Sequence, residues 1–195
     1  MNYFRFVALV GVALLMSGAA VAAEKKAPQK SPAVSEKPQA APVAAPQAPP
    51  APVKVGEIAG NFTLKDVDSK EKELSSLKGN APYTVLTFTN SVCSACRDEM
   101  SMLAKVWQKN KEKLQLVAIF TDASTDVGAK ATKEMYKDAF VCLMDPAFTI
   151  PPAFGFEYTP AMVLIDKSGK VLYSKGGYNK GMGEQTSKEI VSFLK

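Results

Sequence analysis

The chain has 195 residues, 47% of them hydrophobic and 22% charged, which excludes a collagen-like, wholly disordered or polytopic membrane protein. It contains no histidine, and this removes imidazole-ligated metals, Ser-His and Cys-His catalytic pairs and any imidazole base. Its net charge of +5 divides into +1 over residues 1–23, +2 over 24–52 and +2 over 53–195, so no stretch has the basic footprint of a nucleic-acid binder.

Residues 1–23 read as a signal peptide. Arg5 supplies a basic start, residues 6–16 are apolar, and Val21 and Ala23 suit the −3 and −1 positions of a cleavage site before Glu24. The alternative is an uncleaved membrane anchor, because residues 6–23 give 18 mostly apolar positions, just enough to span a bilayer. Either reading puts the rest of the chain in the periplasm or another extracytoplasmic compartment, where disulfides persist. Residues 24–52 hold eight Pro and eight Ala among 29 residues, with no aromatic and no Gly. Such a segment cannot bury enough apolar area to offset its ordering entropy, and it is expected to be a disordered linker. It serves either as a solvated leader or as a spacer, reaching roughly 90 Å in polyproline geometry.

Periodic patterns begin at Val53 and bound one domain over 53–195. Residues 61–65 alternate, as do 72–74, with 68–70 as the turn of a hairpin. Residues 83–88 form a β-branched and aromatic run after Pro82, the pattern of a buried strand. Cys96, Met100, Leu103, Ala104 and Trp107 then fall at helical spacing. Residues 116–120 read as a second buried strand, 127–137 as a helix with Asp126 as N-cap, and 140–144 as a third strand. Residues 161–165 and 170–174 are two more strands around a 166–169 turn, and 184–194 is a closing amphipathic helix. The alternation predicts an α/β fold, a central mixed sheet with parallel crossovers, flanking helices and an antiparallel closing hairpin.

The sharpest feature is Cys93-Ser94-Ala95-Cys96, between the 83–88 strand and the helix that follows. A thiol at a helix N-terminus faces unsatisfied backbone N–H groups and the positive end of the dipole, which favours its thiolate. A second thiol three residues on is near enough to close a disulfide with it. An attacking thiol of low pKa beside a resolving one is what reversible disulfide exchange needs. The plain alternatives are an inert staple or half of a metal knuckle. The knuckle lacks ligands, since only Cys142 remains, so neither metal nor cofactor is expected.

Residues 88–100 (FTNSVCSACRDEM), the lead-in over 53–60, Tyr158-Thr159-Pro160-Ala161 and the VLIDKSGK of 163–170 resemble the thioredoxin-like superfamily. Within it the chain is similar to the TlpA/ResA-like extracytoplasmic thiol-disulfide oxidoreductases, which sit beside the peroxiredoxins of AhpC/TSA type. The resemblance covers about residues 53–195. It implies a thioredoxin-like fold, to which the N-terminal hairpin is an extension, with Cys93 as nucleophile and Cys96 as resolving thiol. It also implies that Thr159-Pro160 is a cis pair facing the disulfide, its loop presenting backbone to an incoming extended peptide. Several positions depart from the family: Val92 and Thr89 stand where tryptophans are usual, and Ala95 where proline is common. Thr87 stands where thioredoxins bury a carboxylate as proton acceptor. Glu99, three residues after Cys96, matches a glutamate frequent in the TlpA/ResA-like branch, although a solvated first-turn carboxylate is the simpler reading of it.

The resemblance implies protein thiol or disulfide substrates, with reduction as the direction and cytochrome c maturation as one setting. A membrane electron donor would restore the dithiol. Two other readings compete. One is a thiol peroxidase of the peroxiredoxin kind, against which Asn90 stands where a threonine is wanted three residues before Cys93. The other is a non-catalytic binding module with a structural disulfide. Cys142, inside the apolar run 140–144, is expected as a buried small hydrophobe, and Met100, Met102 and Trp107 as packing residues.

Overall fold

The computed structural model describes residues 51–123 and 125–195. The signal peptide expected over 1–23 lies outside the described residues, as does the linker expected over 24–52 up to residue 50. The elements in chain order are β1 (Thr63–Asp66), β2 (Glu71–Glu73), α1 (Leu74–Leu77), β3 (Tyr83–Thr89) and α2 (Ser94–Gln108). There follow β4 (Leu114–Phe120), α3 (Thr125–Tyr136), β5 (Phe140–Met144), β6 (Ala161–Asp166), β7 (Val171–Gly176) and α4 (Gly183–Phe193).

β3 is buried at every position after Tyr83. A strand with no exposed face must be covered on both sides, which places it in the interior of a sheet. It pairs parallel to β4 and antiparallel to β6. The sheet order is β2-β1-β5-β4-β3-β6-β7, with β4 and β5 also parallel and the outer pairs antiparallel. The fold is therefore α/β and thioredoxin-like, and the N-terminal hairpin extends the sheet beyond β5.

The crossovers β3-α2-β4 and β4-α3-β5 step across the sheet in one direction. Right-handed connections of that kind leave both helices on the same face. Met100 and Leu103 of α2, Ala129 of α3 and Ile190 of α4 accordingly join one core with Leu116 and Leu164. The opposite face is closed by Leu74 and Leu77 of α1 and by Phe154 and Phe156. Phe88 packs its ring 5.7 Å from Phe154 and 5.8 Å from Phe156.

Several element bounds differ from the sequence expectations. Leu74 leaves the expected 72–74 strand and opens α1, because Leu74 and Leu77, one turn apart, both bury. Asp126 is not the N-cap of the third helix but lies inside its first turn, one residue after the start. The helix ends at Tyr136, and Lys137 takes a positive φ of 47°.

Candidate active site

The loop from β3 to α2 is tied down on both sides. The Asn90 side-chain oxygen accepts from Val92 N–H at 3.0 Å, and Asn90 O accepts from Cys93 N–H. Ser91 donates both its N–H and its hydroxyl to Asp122 Oδ1, each at 3.0 Å. Gly128 of α3 lies so close that a Cβ there would collide with the Ser91 side chain. The loop therefore delivers Cys93 to the N-cap of α2, with extended backbone at φ −84° and ψ 117°.

Cys93 and Cys96 form a disulfide with Cα atoms 5.2 Å apart. Cys93 is partly exposed, whereas Cys96 is 0% exposed. Cys93 Sγ accepts from Cys96 N–H at 3.1 Å, so the sulfur takes the place of a capping oxygen. That donor and the helix dipole would favour a thiolate there once the disulfide opens.

Glu99 is not the solvated carboxylate of the simpler reading: it is 0% exposed. Helical geometry explains this, because Cys96, Glu99, Met100 and Leu103 share one face of α2, and that face is the buried one. Glu99 Oε2 accepts from the Thr87 hydroxyl at 2.7 Å, while Oε1 has no hydrogen-bond partner. Burial pushes the carboxyl up to about 7, with the Thr87 hydrogen bond and the Lys175 charge pulling the other way. Thr87 itself is 0% exposed. Thr87, at the position where the resemblance implies a buried carboxylate, is instead the hydrogen-bond donor to a buried carboxylate carried by α2. The signal was present in the spacing, because Glu99 falls within the apolar stripe of its helix.

Thr159–Pro160 is a cis peptide bond. Ala161 pairs with Phe88, so extending the register by one residue sets Pro160 opposite Thr89, where β3 releases the motif loop. Pro160 is buried and Thr159 half-buried, and Pro160 O accepts from Gly177 N–H at 2.8 Å. Val92 and Tyr158, the residues before the motif and before the cis pair, are 84% and 60% exposed.

Cys142 lies apart from the motif, on β5. It is buried, and burial pushes its thiol up to about 12 against the opposing charge of Lys133. Met100 and Met102 are buried in the core beside Trp107, which is partly buried with the Lys111 ammonium 4.8 Å from its ring centroid. Sequence reasoning missed Lys175, which faces Glu99 from β7 without any motif to mark it.

A sequence profile of the AhpC/TSA family matches residues 55–174. The chain is 31% identical over 144 residues to the thiol-disulfide oxidoreductase ResA of Bacillus thuringiensis (strain Al Hakam), covering 73% of this chain and 78% of that protein. It is 26% identical over 143 residues to ResA of Halalkalibacterium halodurans, with the same coverage. Among solved structures, one from Chlorobium tepidum that carries the name thiol:disulfide interchange protein DsbE superposes with a TM-score of 0.64. It shares 27% identity, over 73% of this chain and 99% of that one. The exposed lipoprotein thioredoxin Etrx1 of Streptococcus pneumoniae superposes with a TM-score of 0.52 at 25% identity, over 67% and 99% of the two chains.

Proposed function

The chain belongs to the AhpC/TSA family and is a thiol-disulfide oxidoreductase, and on that premise we propose that it reduces protein disulfides outside the cytoplasm through Cys93 and Cys96. The observation that carries this reading is the asymmetry of the pair: a partly exposed sulfur capping a helix N-terminus, bonded to a fully buried one. The outer sulfur is reachable by a macromolecular disulfide, and the inner one is reachable only by Cys93.

The reaction starts from the dithiol. The Cys93 thiolate attacks one sulfur of the substrate disulfide, forming a mixed disulfide and releasing the other substrate sulfur as a thiolate. Cys96 then gives its proton to Glu99, one helical turn away on the same face, and the resulting thiolate attacks Cys93 Sγ. The Cys93–Cys96 disulfide forms, the second substrate sulfur leaves as a thiolate, and two electrons have passed to the substrate. An external dithiol, held in the membrane in this reading, restores the reduced pair. Thr159 and Pro160 present backbone to the substrate segment beside Cys93, in the manner of strand addition. The haem-binding cysteines of an apocytochrome c are one substrate of the right chemistry. The signal peptide or anchor expected over 1–23 supports a location in the periplasm or an equivalent compartment.

The test is the reduction potential of the pair, by equilibrating the full chain in graded dithiothreitol buffers. A value near or below about −230 mV supports a reductant. A value of about −120 to −180 mV would make it an oxidant or isomerase and end the reductive reading. In parallel, Cys96→Ser should accumulate a mixed disulfide at Cys93, and Cys93→Ser should accumulate none.

A further inference from the structure

Thr87 pairs with Met162 across β3 and β6, and Met162 pairs with Lys175 across β6 and β7. Residues directly opposite in neighbouring strands point to the same side, so Thr87, Met162 and Lys175 form one row on the face covered by α2 and α4. The row ends in a polar cluster. Lys175 Nζ donates to Thr186 Oγ1 at 2.8 Å and lies 3.5 Å from Glu189 Oε2. The Tyr173 hydroxyl donates to the same Glu189 oxygen at 2.6 Å. Thr186 is 0% exposed and the Lys175 side chain only 16%, so this cation is held under α4 rather than spread into solvent.

Two groups act on the Glu99 charge, Thr87 from β3 and Lys175 from β7. Tyr173 of β7 and Tyr178 in the segment after it also face this site, and burial first, with the Glu99 charge among the other causes, pushes both hydroxyls up. On the helix of Glu99 lie Cys96 and Asp98, the latter 3.7 Å from the largely exposed Lys180 ammonium. Glu189 of α4 acts on Lys175. Burial alone would keep Glu99 protonated and useless as an acceptor, and Thr87 supplies a single hydrogen bond. Lys175 is the sheltered positive charge opposed to that burial.

We propose that Lys175 is a positioning residue for Glu99: its ammonium, held by Thr186 and Glu189, keeps the Glu99 carboxylate able to take the Cys96 proton at neutral pH, and Glu189 sets how much of that charge reaches it. This rests on the role given to Glu99 above. Two strand spacings separate the backbones of Lys175 and Thr87 by roughly 10 Å. A unit charge about 10 Å from a buried carboxyl moves its titration by roughly one pH unit at an effective dielectric constant of about 20.

The experiment uses the full chain in its reduced form. The Glu99 carboxyl is titrated by carbon-13 NMR, its signal identified by its loss in Glu99→Gln. The rate of reaction with 4,4′-dithiodipyridine is followed over the same pH range. Lys175→Met should raise the Glu99 midpoint by roughly one unit, and Lys175→Arg should leave it in place. Glu189→Gln, at a half-exposed surface position, should lower it by removing the group that neutralises Lys175. A packing role would not move the midpoint in opposite directions. If Lys175→Met and Glu189→Gln move it the same way, or not at all, the proposal fails while the role of Glu99 stands. If Lys175→Met does not fold, absence of a downward movement in Glu189→Gln is enough to overturn it. If Glu99→Gln leaves the rate profile of the motif unchanged, the role of Glu99 falls, and the proposal with it.

Discussion

Glu99 and Asp145 are both carboxyls removed from water, 0% and 2% exposed, and they are satisfied very differently. Asp145 Oδ1 accepts from the Thr149 N–H at 2.9 Å and from its hydroxyl at 2.7 Å, and Oδ2 accepts from Ile150 N–H at 2.9 Å. Glu99 has one donor, Thr87, and an oxygen with none. A buried carboxyl wrapped in donors fixes a loop. One left half-satisfied has its two protonation states close in free energy and can exchange a proton near neutral pH. Hydrogen-bond count separates the two, and burial does not.

The largest expected break in this contrast is Glu99→Gln. Loss of the proposed general base should slow closure of the Cys93–Cys96 disulfide about 100-fold at neutral pH, read by quenched thiol alkylation. The same variant bears on stability. The folded-state value of about 7 lies above the ordinary 4.5, so the folded chain holds the proton more tightly than the unfolded one. That contribution is fully present below pH 4.5 and is lost as pH rises through about 7. The loss is about 3 kcal/mol, and it should vanish from denaturant titrations of Glu99→Gln. Asp145→Ala is the contrasting case. It leaves the Thr149 and Ile150 donors unpaired and should cost about 2 kcal/mol in urea unfolding, yet leave the pH profile of exchange where it was. A profile that moved with Asp145→Ala would break the comparison.

Thr87→Val sharpens it. This near-isosteric change removes the one donor on Glu99, should push its titration further up, and should slow exchange at neutral pH about fivefold, equivalent to about 1 kcal/mol. The smallest effect belongs to Cys142, where burial acts without a nearby partner reaction. With its thiol pushed up to about 12, Cys142 should resist iodoacetamide in the native protein while reduced Cys93 is labelled. Cys142→Ala should leave the exchange rate unchanged.

Much of the fold was legible because its strands are short apolar runs and its helices carry apolar stripes, patterns that local chemistry writes directly into order. Residues 83–88 and 140–144 stand where they were expected, and β3 and β4 extend only by terminal residues that pair with neighbours. The place of the cysteine motif between a strand and a helix was likewise readable, since capping and the helix dipole act over neighbouring residues. Leu74 was misplaced because a lone turn of helix competes with a strand on the strength of one buried pair, which periodicity cannot weigh.

The sequence by itself determined the strand-helix order, the Cys93–Cys96 pair at the start of a helix, and the absence of any imidazole that could serve as a base. Only the tertiary structure decided that Glu99 is dry, that Thr87 is its donor, and that Lys175 lies in the same row two strands away. The physical reason is range. Helix caps and apolar stripes depend on contacts within a few residues, whereas desolvation and the pairing of charges depend on which strands become neighbours, and Thr87 and Lys175 are brought to one face only by the β3-β6-β7 register.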